Sequence, residues 1–127
     1  MIKRMKKFSV LLCAITLASC YQQERNCNDF KTGTFSFEQE INGKKHISTF
    51  VRTEDLQIET YEGKTDTASV RWINDCEFVV QKLHPKNMAE EKAIHMKILT
   101  TNANGYIFEY NLVGDTNKQR GEIKKIK

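Results

Sequence analysis

The sequence predicts an all-β domain, an antiparallel meander of seven or eight strands forming a small barrel or a sandwich. Three observations carry this. Short runs of alternating polarity recur from Phe30 to the end of the chain, with the period of a half-buried strand. Compact turn signals separate the runs, and Asn42-Gly43 is the strongest of them. No helical period is sustained long enough for a long helix. A closed barrel is favoured, because successive hairpins leave no room for long crossovers and closure removes exposed edges.

The first strand places Gly33, Phe35, Phe37 and Ile41 on one parity and Thr34, Ser36, Glu38 and Glu40 on the other. After the Asn42-Gly43 turn, His46 to Thr53 sets Ile47, Thr49 and Val51 against Ser48, Phe50 and Arg52. Leu56, Ile58 and Thr60 then alternate with Gln57, Glu59 and Tyr61, and Glu62-Gly63-Lys64 turns the chain. Thr67 to Ile73 aligns Ala68, Val70 and Trp72, which marks Trp72 as a core anchor. Asn74-Asp75 suits a turn through side-chain to backbone hydrogen bonds. Cys76 to Leu83 is the most apolar strand, and His84-Pro85-Lys86-Asn87 stops it. Met88 to Lys92 reads as one helical turn or a loop. Strands resume around Ile94, Met96 and Ile98, turn at Asn104-Gly105, and continue through Tyr106, Phe108, Tyr110 and Leu112. Gly114 to Asn117 turns again, and the basic last strand, Arg120 to Ile126, is expected at an edge.

The start of the chain has a different character. Lys3, Arg4, Lys6 and Lys7 precede an apolar run of 11 residues, Phe8 to Ala18, and then Ser19 and Cys20. A membrane-spanning helix needs roughly 20 apolar residues, so the run is too short to be one. A basic segment, a short apolar segment and small residues before the cut are the layout of a cleaved signal peptide. Leu17-Ala18-Ser19-Cys20 resembles the lipobox of bacterial lipoproteins, which implies acylation at Cys20 and multiple acyl chains as a lasting anchor. Tyr21 in place of Asp after that cysteine implies sorting to the outer membrane, facing the periplasm. The expected organisation is a signal peptide at 1–19, a lipidated N-terminus and short tether at 20–27, and one β domain at 28–127.

Cleavage would change the charge balance. The chain has 20 Lys and Arg against 16 Asp and Glu, and the excess of four lies in the signal segment. The mature chain is then neutral with signs interspersed, which argues against nucleic acid as a partner, since such faces need a clustered basic patch. The expected partners are the membrane, through the lipid, and an envelope protein or glycan. With Cys13 removed and Cys20 acylated, Cys27 and Cys76 remain. In an oxidising compartment two such thiols favour one disulfide over two free cysteines, stabilising by about 2–4 kcal/mol.

No catalytic signature stands out, so no enzyme, metal or cofactor is expected. The histidines, His46, His84 and His95, are not paired at metal spacing, and His84, Met88, His95 and Met96 fit strand filler better than a copper site. GxSxG and SxxK are absent. The densest constellation runs from Thr65 to Cys76. Within it Arg71, Trp72 and Asp75, joined by Arg52, form the candidate binding patch, because Trp and Arg are enriched at binding hot spots. Arg52 and Arg71 are expected at the surface or paired with Glu59 or Glu77.

Several stretches resemble a family of small flavobacterial lipoproteins of unknown function: Phe30 to Phe35, Phe50 to Thr53, Leu56 to Glu59, Arg71 to Glu77 and His95 to Leu99. Members often carry the label DNA topoisomerase IV. Topoisomerase subunits are several times longer, need a nucleotide site or a DNA gate, and work in the cytoplasm, so that label does not suit an exported neutral domain. The architecture is lipocalin-like if closed. It is also similar to membrane-bound lysozyme inhibitors, although their Ser-x-x-Gly-x-x-Tyr loop is missing. The expected role is therefore a lipid-anchored binding or structural module of the envelope. The alternatives are an inhibitor of an envelope-directed hydrolase and, behind it, a small-ligand-binding barrel. Cys20→Ser is expected to move the protein from the membrane fraction to the soluble fraction on cell fractionation; continued membrane retention would refute the anchor.

Overall fold

A computed structural model describes residues 25–127; the signal-peptide and Cys20 assignments lie outside them. After a 3-10 turn at Cys27–Phe30, eight strands follow: β1 (Gly33–Ile41), β2 (Lys44–Arg52), β3 (Leu56–Tyr61), β4 (Lys64–Trp72), β5 (Glu77–Lys82), β6 (Ile94–Thr101), β7 (Gly105–Leu112) and β8 (Gln119–Lys125). All neighbours are antiparallel, and β8 pairs with β1, so the meander closes into a barrel. The last strand is therefore no edge. It is hydrogen-bonded to β7 along six residue pairs and to β1 along three, with Phe37 opposite Ile123.

Local chemistry explains the hairpins. β1 and β2 are joined by Asn42-Gly43, both at positive φ (53° and 76°), the turn whose twist matches that of paired strands. Glu62-Gly63 joins β3 to β4 in the same way, at 48° and 75°. The β6–β7 reversal falls slightly earlier than Asn104-Gly105, because Asn102 Oδ1 accepts hydrogen bonds from the Asn104 and Gly105 amides and Gly105 already belongs to β7. Residues 83–93 form turns and bends without a helix.

Inward positions follow the period of two, except at one irregularity in β6. There Ile98 pairs with Phe108 and Thr100 with Ile107, so Leu99 is the extra residue and the inward set resumes at Thr101. The core holds Phe30, Phe35, Phe50, Val70, Phe78, Val80, Ile98, Tyr106, Phe108 and Ile123. Gly121 makes room for it, since a Cβ there would lie 2.7 Å from the Phe108 ring.

The two barrel ends differ. At one end the 3-10 turn is drawn over the interior by five bonds. Cys27 is disulfide-bonded to Cys76, Arg25 Nη2 donates to Ile98 O at 2.7 Å, and the Asn26 amide donates to Thr101 Oγ1 at 2.8 Å. Lys125 Nζ donates to Asp29 O at 2.6 Å, and Arg52 Nη1 donates to Phe30 O at 2.8 Å. Arg25, Asn26 and Cys27 thus pack with the barrel. Toward the opposite end, inward-pointing Gln39 and Glu59 remain exposed, so water reaches the interior from there. Replacing Cys27 and Cys76 together by Ser is expected to lower unfolding stability by about 2–4 kcal/mol, read from the denaturant midpoint. An unchanged midpoint would mean that the hydrogen bonds alone hold the plug.

Candidate functional site

The site is the barrel interior. β2 contributes Ser48, Phe50 and Arg52, and β3 presents Gln57 and Glu59, because Phe50 lies opposite Glu59 and Arg52 opposite Gln57. On β3 the polar parity faces inward, while Leu56 and Ile58 lie on the outer parity. The reason is tertiary: register with β2 and β4 fixes which face points in, and polar side chains such as Gln57 and Glu59 are tolerable there only where the interior is hydrated or paired.

A cavity of about 210 Å³ lies among these residues. Its walls are mainly aromatic or apolar, with Phe37, Phe50, Phe78, Met96, Phe108 and Tyr110. A neighbouring cavity of about 320 Å³ shares Gln57, Glu59, Ile94 and Met96 with it, and reaches Asp66, Lys82 and Glu90.

Arg52 lies at the plugged end of the first cavity and is 2 % exposed. This corrects the expectation that it faces solvent or pairs with a glutamate. Nε donates to Gln57 Oε1 at 3.2 Å, Nη1 to the Phe30 carbonyl, and Nη2 to Tyr106 Oη at 2.8 Å. Aromatic rings surround the guanidinium, with Phe78, Phe35 and Phe50 centroids at 4.5, 5.0 and 5.3 Å from Cζ. Tyr106 and Trp72 stand at 5.9 and 6.0 Å. Burial raises the Tyr106 pKa against the opposing influence of Arg52. The hydroxyl thus stays protonated near neutral pH, and can donate as well as accept.

Of the expected patch, Arg52 and Trp72 come together in the interior. Arg71 is on the outer face of β4 and exposed, and Asp75 is at the β4–β5 turn, 3.5 Å from Lys31 Nζ. Trp72 packs on Phe78 at 4.4 Å between centroids, and its buried Nε1 has no hydrogen-bond partner among the described residues. Glu77 pairs with His95 at 3.3 Å rather than with an arginine, and the hydrogen bond from Asn74 chiefly lowers its pKa. Gln57, Ser48 and Tyr106 were missed as site residues. The one legible clue was the shared parity of Ser48, Phe50 and Arg52, which put an arginine on the aromatic side of its strand.

At the far end Lys82 Nζ binds Glu90 at 2.7 Å and Asp66 at 3.0 Å. Glu90 is thereby fastened over the second cavity together with its loop. Among the described residues no group of three His, Cys, Asp or Glu is arranged to hold a metal ion.

Taken together, fold and site define a class: a closed eight-stranded meander barrel, plugged at one end, with an aromatic cavity and a buried arginine inside. Comparisons with protein families, with curated proteins and with solved structures gave no match.

The Lys82–Glu90 bond makes the loop at 83–93 pH-sensitive. Its hydrogen bond to Lys82 holds Glu90 below the ordinary carboxylate value of 4.5, so its contribution is complete above that value and is lost as pH falls through the lowered one. The bonds to Glu90 and Asp66 hold Lys82 above 10.5, so its contribution is complete below 10.5 and is lost as pH rises through the raised value. Hydrogen-exchange protection of the Glu90 and Lys92 amides is expected to be flat between these limits and to fall in acid below pH 4.5. Protection unchanged to pH 3 would show that the ion pair does not hold the loop.

Proposed function

We propose that this chain is a lipid-anchored barrel of the cell envelope that binds a small, mainly apolar molecule in its interior, without catalysing its conversion. The observation that carries this reading is the aromatic cavity of about 210 Å³ inside a closed barrel. A packed barrel of this size fills its interior with side chains, whereas ligand-holding barrels keep space there. Large neighbouring side chains do not close the gap: Ser48 stands on the wall, where a bulkier residue would fill the volume. The sequence alone ranked ligand binding behind hydrolase inhibition. The cavity supports the opposite order, because it offers space for a small molecule.

The envelope location and the anchor rest on the Leu17-Ala18-Ser19-Cys20 pattern and the segment before it. The reading assigns no catalysis, because Arg52 is hydrogen-bonded to Gln57 and Tyr106 and Lys82 is paired with Asp66 and Glu90, which leaves neither as an acid–base pair with a nucleophile.

The test uses the Cys20→Ser protein, altered only at the acylation residue, titrated with 1-hexanol and followed by amide and side-chain NMR. Saturable shifts are expected at Phe37, Phe50, Phe78, Met96 and Phe108. They should vanish in Ser48→Phe, whose ring would occupy the cavity. Shifts that never saturate, or that persist in that variant, would overturn the reading.

A further inference from the structure

Arg52 carries a charge that the barrel hydrates poorly and does not neutralise. None of the ion pairs among the described residues includes it. Its surroundings are five aromatic rings and three neutral oxygen acceptors. A guanidinium has five N–H donors and keeps its charge in proteins, so two donors remain after these bonds. A charge taken out of water without a counter-charge is expensive, and neutral hydrogen bonds with ring contacts offset only part of that cost. A plug could be fastened to a barrel wall by neutral groups. Placing an arginine there leaves unspent anion-binding capacity at the end of an apolar cavity.

We infer that Arg52 is the head-group anchor of the interior site and that the ligand is a small monocarboxylate with an uncharged apolar tail; this rests on the small-molecule reading above. The planar guanidinium matches a carboxylate, and charge-assisted hydrogen bonds are roughly twice as strong as neutral ones. Tyr106 Oη accepts from Arg52 and still has its own proton to donate, and the Gln57 amide stands beside the same group. The tail then runs along Phe50, Phe78, Met96 and Phe108 toward the far end.

Size and the next charge along the wall define the tail. A dry cavity of about 150 Å³ holds benzene, so about 210 Å³ suits a ligand of roughly eight non-hydrogen atoms, the size of hexanoate. Glu59 lies two residues beyond Gln57 on the inward parity of β3, about 7 Å farther along the strand. It is in no ion pair among the described residues, and Asp66 lies opposite it on β4. Asp66 is paired with Lys82, so a second carboxylate at the tail end would meet the charge of Glu59, and a diacid of the same length is disfavoured.

The experiment compares hexanoate, 1-hexanol, hexylamine and adipate as probes by titration calorimetry and NMR on the Cys20→Ser protein at pH 7 and low salt. Hexanoate is expected to bind at least about tenfold tighter than 1-hexanol, hexylamine more weakly than the alcohol, and adipate at least about tenfold more weakly than hexanoate. Glu59→Gln should narrow the gap between hexanoate and adipate. Arg52→Met keeps an unbranched, largely apolar stem and removes the charge; if folded, it should bind 1-hexanol and lose the preference for the acid. Should that variant unfold, the four-probe comparison on the parent protein still decides. Saturable 1-hexanol binding without a hexanoate preference would overturn the anchor role and leave the small-molecule reading standing. Binding of none of the four would overturn both.

Discussion

The buried guanidinium of Arg52 is the constraint around which the rest of the interior is organised. Desolvating a charge costs several kcal/mol, so a fold that keeps one inside must surround it with acceptors and polarisable faces. This barrel draws them from across the sequence. The Phe30 carbonyl comes from the N-terminal plug, the Gln57 amide from β3 and the Tyr106 hydroxyl from β7, with rings from β1, β2, β4 and β5. One side chain therefore ties plug to wall and strand to strand. The disulfide at Cys27–Cys76 fixes the same plug to the β4–β5 turn.

A polarity gradient follows along the barrel axis. Near the plug, inward positions carry Phe35, Ile98 and Tyr106, each at most 1 % exposed. Toward the other end the inward parity carries Gln39, His46, Glu59, Tyr61, Asp66 and Lys82. Hydrated groups there need no internal partner, and those that have one, such as Lys82, use it to hold a loop. An interior with an aromatic floor, a cation beneath it and a polar mouth is the outcome, and each part has its own physical cause. Closure satisfies the edge strands, the plug excludes water, and the mouth remains wet.

Much of the fold was legible because its determinants are local. Strand alternation in Gly33 to Ile41 and the Asn42-Gly43 turn need only neighbouring residues to be read, and β1 and β2 lie where that pattern put them. The pairing of Cys27 with Cys76 was legible once the export signal set Cys13 and Cys20 aside. Three features were not. β8 reads as a basic edge strand, yet closure gives it a partner on both sides, and its lysines lie on the rim and outer face. In β3 the alternation of Leu56 and Ile58 against Gln57 and Glu59 suggests the wrong inner face, because both parities contain bulky residues and only register decides between them. Arg52 reads as a surface arginine because composition says that arginine is seldom buried, a tendency overruled here by five rings and three acceptors.

By itself the sequence determined the all-β class, the order of the hairpins and the cysteine pair, since these depend on periodicity, turn chemistry and the thiols left once the export signal is set aside. Tertiary structure alone decided which face of β3 points inward, that the basic last strand is paired on both sides, and that a cation lies beneath an aromatic cavity. Those outcomes require residues 20 to 75 positions apart to be brought within hydrogen-bond distance, as in Arg52 with Phe30 and Tyr106 or Asn26 with Thr101, and no local pattern encodes such distances.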